Sequence, residues 1–479
     1  MNKKLHKFPN YPQPMTDINK VKTLNSIIAV AKESNSRFGN SIHDDLVTTI
    51  YSEASSIATE VIRKTKPKAG DIDRKIDKIV TSRWLGIPLM ILLLCLVFYI
   101  TIAGANVPSQ MIASFLFQVE AWLDQAFTYV GLPWWITGFF IHGIYKGLAW
   151  VISVMLPPMA IFFPMFTILE DLGYLPRISF NLDRVFRWSG GHGKQALTMG
   201  MGFGCNAAGI IATRIIDSPR ERLLAVLTNN FVPCNGRWPL LIILATLFLG
   251  AEFSPGIASL LAVGSVTGVA LFGIIITFLS NRLFSKTILK GEPSSFQLEL
   301  PPYRRPQILR VLYTSLIDRT IFVLWRAIIM AAPAGGIIWL LGNIHAGDLS
   351  LMQHMANTIE PFARQFGMDG IILLAFFIAI PANEIVIPTI IMGYLSASQM
   401  LELDSMNELR GLFVNNGWTA TTAICTMLFS LLHFPCSTTS LTILKETKSW
   451  KWTTLANLYP LALAFIVTFI VYHLINLFA

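Results

Sequence analysis

Several stretches of this chain run for 18 or more residues with scarcely a charge, and about 20 residues of helix cross the hydrocarbon core of a bilayer. In lipid every backbone N–H and C=O must find a partner within the chain, so such runs fold as α-helices. Only 14% of the residues are charged and 53% are hydrophobic. Soluble domains carry about 25% charged residues, so an all-α, polytopic membrane protein is expected. The mean hydropathy of +0.56 agrees. One apolar run, residues 199–240, is broken twice, each time at a cysteine: Gly202-Phe203-Gly204-Cys205-Asn206 and Pro233-Cys234-Asn235-Gly236-Arg237. Glycine and proline interrupt a helix ladder. At membrane depth such breaks are tolerated where they line a cavity, which is where transporters hold ions.

A net charge of +9 would suit nucleic acid, but in a membrane chain it reads as basic residues gathered in cytoplasmic loops, and no nucleic-acid partner is expected. The five cysteines (Cys95, Cys205, Cys234, Cys425 and Cys436) show no paired extracellular spacing, which argues against a disulfide framework. The N-terminal MNKKLHKFPNYPQP is not followed by an apolar core, so no cleavable signal peptide is expected. No GxxxxGK[ST] phosphate loop occurs, since GGHGKQ at 190–195 has the wrong spacing, and HExxH and a Ser/His/Asp order are also missing. The chain is therefore not expected to be an enzyme.

Charge bias lays out the chain. Residues 1–84 are soluble in character, with amphipathic helices expected from Asp44 to Lys64 and over 68–83, and read as a cytoplasmic linker or as a docking platform. Residues 85–281 form a first membrane half, 282–318 a basic cytoplasmic loop, and 319–479 a second membrane half. In the first half a span at 85–105 keeps the N-terminus inside. The stretch 106–145, without Lys or Arg, lies outside, and 147–169 returns with a bend at Pro157-Pro158. A re-entrant hairpin over 195–213 turns near Cys205, and 223–251 and 256–281 cross. In the second half 319–342 crosses. Residues 369–395 re-enter from the other face, broken at Pro381-Ala382-Asn383-Glu384 and again at Pro388; 412–443 crosses through Pro435-Cys436, and 453–477 is the last span.

The halves echo each other. Phe203-Gly204-Cys205-Asn206-Ala207 corresponds to Ile380-Pro381-Ala382-Asn383-Glu384, and Phe231-Val232-Pro233-Cys234-Asn235 to His433-Phe434-Pro435-Cys436-Ser437. Hairpins entering from opposite faces make this an inverted repeat, and matching interrupted segments in two halves point to a midplane transport site.

With these segments in view the sequence resembles the membrane part of ferrous iron transport protein B (FeoB), with its two Gate, or nucleoside-recognition-type, domains. The stretches that carry the resemblance are LEDLGYLPRISFNLDR, GFGCNAAGIIATR, NNFVPCNGRWP, LELPPYRRP, PANEIV and FPCSTTSLTILKETKSWKWT, in the family's order over roughly residues 70–479. The chain departs from the family where Ala207-Ala208 replace a proline and Asn383 replaces a lysine. NNFVPC stands for an NPFMSC-type segment, and the chain begins near the linker that follows the family's G-protein domain. The resemblance implies import of Fe²⁺ as transported substrate, with no tightly bound cofactor, across a bacterial cytoplasmic (inner) membrane with the N-terminus cytoplasmic. It also implies partners: a separately encoded small G protein like the FeoB G domain, a FeoA-like accessory protein, and a homo-oligomeric assembly in the lipid bilayer.

Ferrous iron is a borderline acid that accepts thiolate, imidazole, carboxylate and carbonyl ligands. Cys205, Cys234 and Cys436 sit at helix breaks, Asn206 and Asn383 offer neutral oxygen, and Glu384 offers charge, so these six are the expected metal ligands. A carboxylate at mid-bilayer costs about 2.5–3.5 kcal/mol and should face a cavity or a cation. Thiols with a pKa near roughly 8.5 bind well only as the metal deprotonates them, which suits an ion that must also leave. Gly204, Pro233, Pro381 and Pro435 are read as gate or structural positions. Glu170-Asp171 are read as a cytoplasmic portal, or else as a solvated turn or a pair for Arg177. Arg237 reads as structural, capping a half-helix or neutralising Glu384. His142 and His433 read as interfacial, with His433 marked because it precedes Cys436 by one turn. Cys95, Cys425 and the methionines (Met155, Met159, Met165, Met199 and Met201) read as packing. Two alternatives stand beside iron import: transport of another divalent metal or small solute, and a non-transporting membrane scaffold or sensor subunit.

Overall fold

A computed structural model describes residues 42–61, 70–82, 84–249, 255–291, 303, 306–397 and 406–478. The N-terminal 41 residues, the end of the Asp44-to-Lys64 helix, most of LELPPYRRP, and Glu402 and Asp404 lie outside the described residues. The chain divides into two compact units, one of residues 1–71 with 295–297 and one of 72–294 with 298–479. The described part of the first is chiefly helix α1 (Ile42–Val61).

The second unit is helical and multi-pass. Among the described residues six helices are long and apolar enough to cross a membrane, or seven if one bent pair counts as a span. Helix α2 (Gly70–Val80) leads to α3 (Gly86–Tyr129). At 1.5 Å per residue the 44 residues of α3 extend about 66 Å, twice the roughly 30 Å of a hydrocarbon core. The span read at 85–105 is thus part of a longer helix that continues to Tyr129. The absence of Lys and Arg from 106–145 marks continuing helix, because nothing between Asn106 and Tyr129 stops it and Pro108 is absorbed. A turn with Gly131 at φ +75° then starts α4 (Trp134–Asp171). The charges on this pair of helices satisfy each other. Glu120 lies 3.0 Å from His142 and 3.4 Å from Lys146, and His142 reaches Asp124 at 3.3 Å. His142 thus bridges carboxylates between the two helices.

Helix α4 runs on through Pro157, Pro158 and Pro164 without interruption. The first half continues with α5 (Tyr174–Ser189), α6 (Gln195–Gly204), α7 (Asn206–Ala212), α8 (Pro219–Thr228), α9 (Trp238–Leu249) and α10 (Pro255–Lys286). After α11 (Ile308–Tyr313) the second half repeats the order, with α12 (Phe322–Asn343), α13 (Leu351–Ala363) and α14 (Gly370–Ile378). It ends with α15 (Asn383–Leu395), α16 (Met406–Asn415), α17 (Ala420–Leu432), α18 (Ser437–Thr447) and α19 (Trp450–Phe478). The turn between α12 and α13 holds a short hairpin, His345–Ala346 against Leu349–Ser350. Start signals match helix starts: Ser218, Asp369 and Thr419 each accept a backbone N–H from the first turn of the helix they precede. Pro388 does not break α15. It is the third residue of the α-helical part, Val386–Leu395, which follows a 3-10 turn over Asn383–Ile385, so its missing N–H leaves no bond of that helix unmade. The crossing expected over 412–443 is α17 and α18, with α16 set apart by a turn at Gly417.

The halves interlock: α7 packs on α18, α9 on α17, and α4 on α12 and on the start of α15. Arg214 and Arg222 of the first half both pair with Glu446 of α18, at 2.6 and 2.7 Å. Away from the apolar core, Arg177 is 1% exposed and bonds Asp77 of α2 at 3.0 Å and the Gly173 carbonyl at 2.7 Å, with its guanidinium over the Tyr303 ring. The Tyr303 hydroxyl donates to Asp77 at 2.9 Å. Arg177 is therefore paired with Asp77 and not with Glu170-Asp171. Partial burial pushes the Asp77 carboxyl up, but the hydrogen bonds from Arg177 and Tyr303 and the guanidinium charge overcome this and hold it below its ordinary 3.8. Burial, with the bond to Asp77, pushes Tyr303 up to about 12.

Candidate functional site

Helix α6 ends at Gly204 and α7 begins at Asn206, so the first break is one residue, Cys205, extended at φ −153° and ψ 123°. Gly204 permits it by close approach: a Cβ there would stand 2.4 Å from the Phe162 ring of α4. The break frees the Gly204 carbonyl, which accepts the N–H of Asn235 at 3.2 Å. The opening between α6 and α7 is thereby tied to the opening between α8 and α9. There, a short 3-10 turn (Asn229–Phe231) gives way to Val232 in extended conformation, and the Cys234 carbonyl accepts the Arg237 N–H at 2.9 Å.

The second half builds the same device. Between α14 and α15, Ala382 is extended at φ −152° and ψ 116°, with Asn383 first in the outgoing helix as Asn206 is in α7. The Ile380 carbonyl accepts the N–H of Ser437, the residue after Cys436, at 2.8 Å. In both halves the amide that follows a cysteine closes the hairpin's break, in registers one residue apart.

Arg237 holds the halves together. It is 1% exposed and donates to the carbonyls of Asn230 (2.7 Å), Leu431 (2.9 Å), His433 (3.2 Å) and Phe434 (3.3 Å), and to Asn230 Oδ1 (3.2 Å). It therefore caps the carbonyl end of α17, the structural option, and neither Arg237 nor any other described residue forms an ion pair with Glu384. Glu384 instead lies against Gly236, where a Cβ would come within 2.3 Å of its Oε1, while its own carbonyl accepts the Trp150 indole N–H at 3.2 Å.

All six expected ligands line one cavity of about 40 Å³: Cys205, Asn206, Cys234, Asn383, Glu384 and Cys436. Gly204 and Pro381 line it too; Pro233, Pro435, Arg237 and His433 stand behind the wall. Asn383 is 7% exposed, and its Oδ1 is buried without a hydrogen-bond partner. Cys436 Sγ lies 3.3 Å from Thr439 Oγ1. Among the described residues no three His, Cys, Asp or Glu side chains stand close enough to clasp an ion. The donors ring the space from several elements rather than clustering at one point.

This geometry bears on four of the expectations. His433 is 1% exposed and not interfacial. Its Nδ1 faces only the Phe429 and Ser430 carbonyls and so donates, and the ring packs among Phe376, Phe429 and Phe434. Glu170 and Asp171 end α4 on the surface, some 11 residues or about 16 Å along the helix from the cavity-lining Met159. Asp171 accepts the Gln307 N–H at 3.2 Å. Cys95 and Cys425 are off the cavity; Cys425 is buried in the core as a packing residue, whereas Cys95 is exposed on α3, and all five cysteines are free. Met155 and Met159 line the cavity, unlike Met165, Met199 and Met201. Their spacing of four is that of any core-facing pair, so no local signal separated them.

A family model described as nucleoside recognition (Gate) matches residues 152–248 and 324–450, and one described as the ferrous iron transport protein B C terminus matches 266–318. The Fe(2+) transporter FeoB of Staphylococcus aureus (strain MSSA476) is 32% identical over 416 residues, covering 84% of this chain and 59% of that protein. That of Methanocaldococcus jannaschii is 28% identical over 448 residues, 90% of this chain and 63% of that protein. An Fe(2+) transport protein A/Fe(2+) transporter FeoB fusion protein of Porphyromonas gingivalis is 27% identical over 474 residues, 89% of this chain and 54% of that protein. The chain thus spans between half and two thirds of the length of these relatives. No solved structure matches it.

Proposed function

The chain belongs to the ferrous iron transport protein B family, whose Gate-bearing membrane region it carries, and from that premise we propose that it imports ferrous iron through the cavity between its two sets of helix breaks. The observation that carries this reading is the convergence of Cys205, Cys234, Cys436, Asn206, Asn383 and Glu384, from both halves, on one small space. Size favours an ion over an organic cargo. The cavity of about 40 Å³ is far below the roughly 300–1,000 Å³ of small-molecule pockets, so a nucleoside does not fit despite the name of the matching domain. An ion entering it sheds part of its water and gains thiol, amide and carboxylate donors in exchange. The Glu384 carboxylate supplies the anionic charge a divalent cation needs where no cation of the protein already neutralises it.

The setting we propose is a bacterial inner membrane with the N-terminus cytoplasmic. We propose that a G protein on a separate chain, acting through residues 1–84, provides nucleotide-driven control. A FeoA-like partner also belongs to this reading, since the Porphyromonas gingivalis relative is a fusion of Fe(2+) transport protein A with FeoB. The test is the initial rate of radioactive ferrous iron uptake into proteoliposomes, with and without GTP and a soluble G domain, for the wild type and Cys234→Ser. Uptake by the wild type that the serine variant loses while inserting normally supports the reading. Equal rates in the two defeat it, and deletion of residues 1–84 separates a permease, which retains basal flux, from a scaffold, which has none.

A further inference from the structure

We propose that Met155 and Met159 are specificity-determining residues of this same cavity, lending thioether sulfur to the cation so that borderline and soft metal ions are taken in preference to hard ones. The inference rests on the reading of the cavity as the metal path and adds a wall to it. Both side chains line the cavity with Cys205, Cys234 and Cys436, so its sulfur comes from three cysteines and two methionines. A spacing of four puts the methionines on one face of α4, one turn apart. Both are buried, at 8% and 2% exposure, while the core stretch of α4 that follows, away from the cavity, is filled by Phe162, Phe163 and Phe166. Across from them α12 contributes only Val323 and Ala327. Hard oxygen is limited to Glu384, the two asparagine amides, Thr438, Thr439 and backbone.

Dehydration decides the selectivity. At roughly 10–15 Å³ of such space per water, the cavity of about 40 Å³ has room for about three or four waters, fewer than a full shell of six, so a cation sheds part of its hydration to enter. Mg²⁺ gives up water reluctantly, and it and Mn²⁺ prefer oxygen, so sulfur repays them poorly. Fe²⁺, Zn²⁺, Cd²⁺ and Cu⁺ recover more from thiolate and thioether. Thioethers are neutral at every pH and hold an ion weakly, so they favour soft ions without trapping them.

Leucine matches methionine in volume, and such swaps usually cost less than about 1.5 kcal/mol. The experiment compares the wild type, the Met155→Leu/Met159→Leu double variant, and Met165→Leu as a control off the cavity, reading ferrous uptake into proteoliposomes against competing Cd²⁺ or Mn²⁺. In the wild type Cd²⁺ should inhibit at about tenfold lower concentration than Mn²⁺; the double variant, which keeps the three thiols, should narrow that gap, and Met165→Leu should keep it. A gap unchanged in the double variant overturns the proposal. X-ray absorption at the cadmium edge of selenomethionine-labelled full-length protein, loaded with Cd²⁺ alone, needs neither a variant nor transport. A selenium shell at bonding distance upholds the proposal and its absence overturns it. A wild type that binds Cd²⁺ through selenium yet moves no iron would sink the transport reading and leave this one standing.

Discussion

Cys205 and Ala382 hold the same extended backbone, within 7° in both dihedrals, at equivalent points of the two halves. Each is the last non-helical residue before an outgoing helix (Cys205 alone in its break, Ala382 after a three-residue turn), each is followed by an asparagine, and each break is closed by the amide one residue beyond a cysteine. The repeat therefore extends from letters to hydrogen bonds, and both copies face one cavity. The mechanical consequences can be tested one residue at a time.

Gly236→Ala should separate function from folding. The new Cβ would lie 2.3 Å from Glu384 Oε1, the far end of a flexible side chain, which can swing aside. Thermal stability in detergent should change by less than about 1 kcal/mol, while ferrous uptake falls about tenfold or more as the carboxylate leaves its place. Gly204→Ala meets the Phe162 ring within a packed wall and should cost about 1–3 kcal/mol of stability as well. Melting and uptake measured side by side on the two variants check this contrast.

Arg237→Lys should fail despite keeping its charge. An ammonium cannot reach the carbonyls of Asn230, Leu431, His433 and Phe434 together. Each carbonyl left buried without a donor costs about 1–3 kcal/mol, so we expect a strongly lowered melting temperature and little inserted protein. Wild-type melting and uptake in the lysine variant would show that the clamp is dispensable.

Asp77→Asn should loosen α2 from α5. Asp77 is part-exposed, so losing the charged hydrogen bonds to Arg177 should cost about 1.5–3 kcal/mol. Acid should mimic it. The folded carboxyl titrates below its ordinary 3.8, so its stabilising contribution is complete above that value and disappears as the pH falls through the depressed one. Protection of residues 72–80 from amide exchange, taken relative to the intrinsic rate at each pH, should fall in the variant at neutral pH and in the wild type only in acid.

Much of this site could be read from the chain because membranes make helix breaks conspicuous. Gly-Phe-Gly-Cys and Pro-Cys in otherwise apolar runs are expensive unless they line a cavity, and Cys205, Cys234, Asn383, Glu384 and Cys436 followed from that alone. What stayed hidden depends on contacts across the fold. The carbonyls bound by Arg237 come from residues 431–434, and no local pattern names them. Met155 and Met159 share the period of core methionines such as Met199. Charge bias placed 106–145 outside but could not distinguish an outer loop from the rest of a 44-residue helix. His433 was misjudged because its position near a break resembles a span end, whereas the break is buried between the halves.

The central claim is that donors from both halves meet a single ion, and a double-mutant cycle on Cys234 and Glu384 tests it most directly. Initial rates of ferrous uptake would be measured for wild type, Cys234→Ser, Glu384→Gln and the pair, each normalised to inserted protein. If both side chains serve one ion, each single change lowers uptake about tenfold or more and the pair is scarcely worse than the poorer single variant. Losses that multiply, or single variants that transport iron at the wild-type rate, would contradict the account.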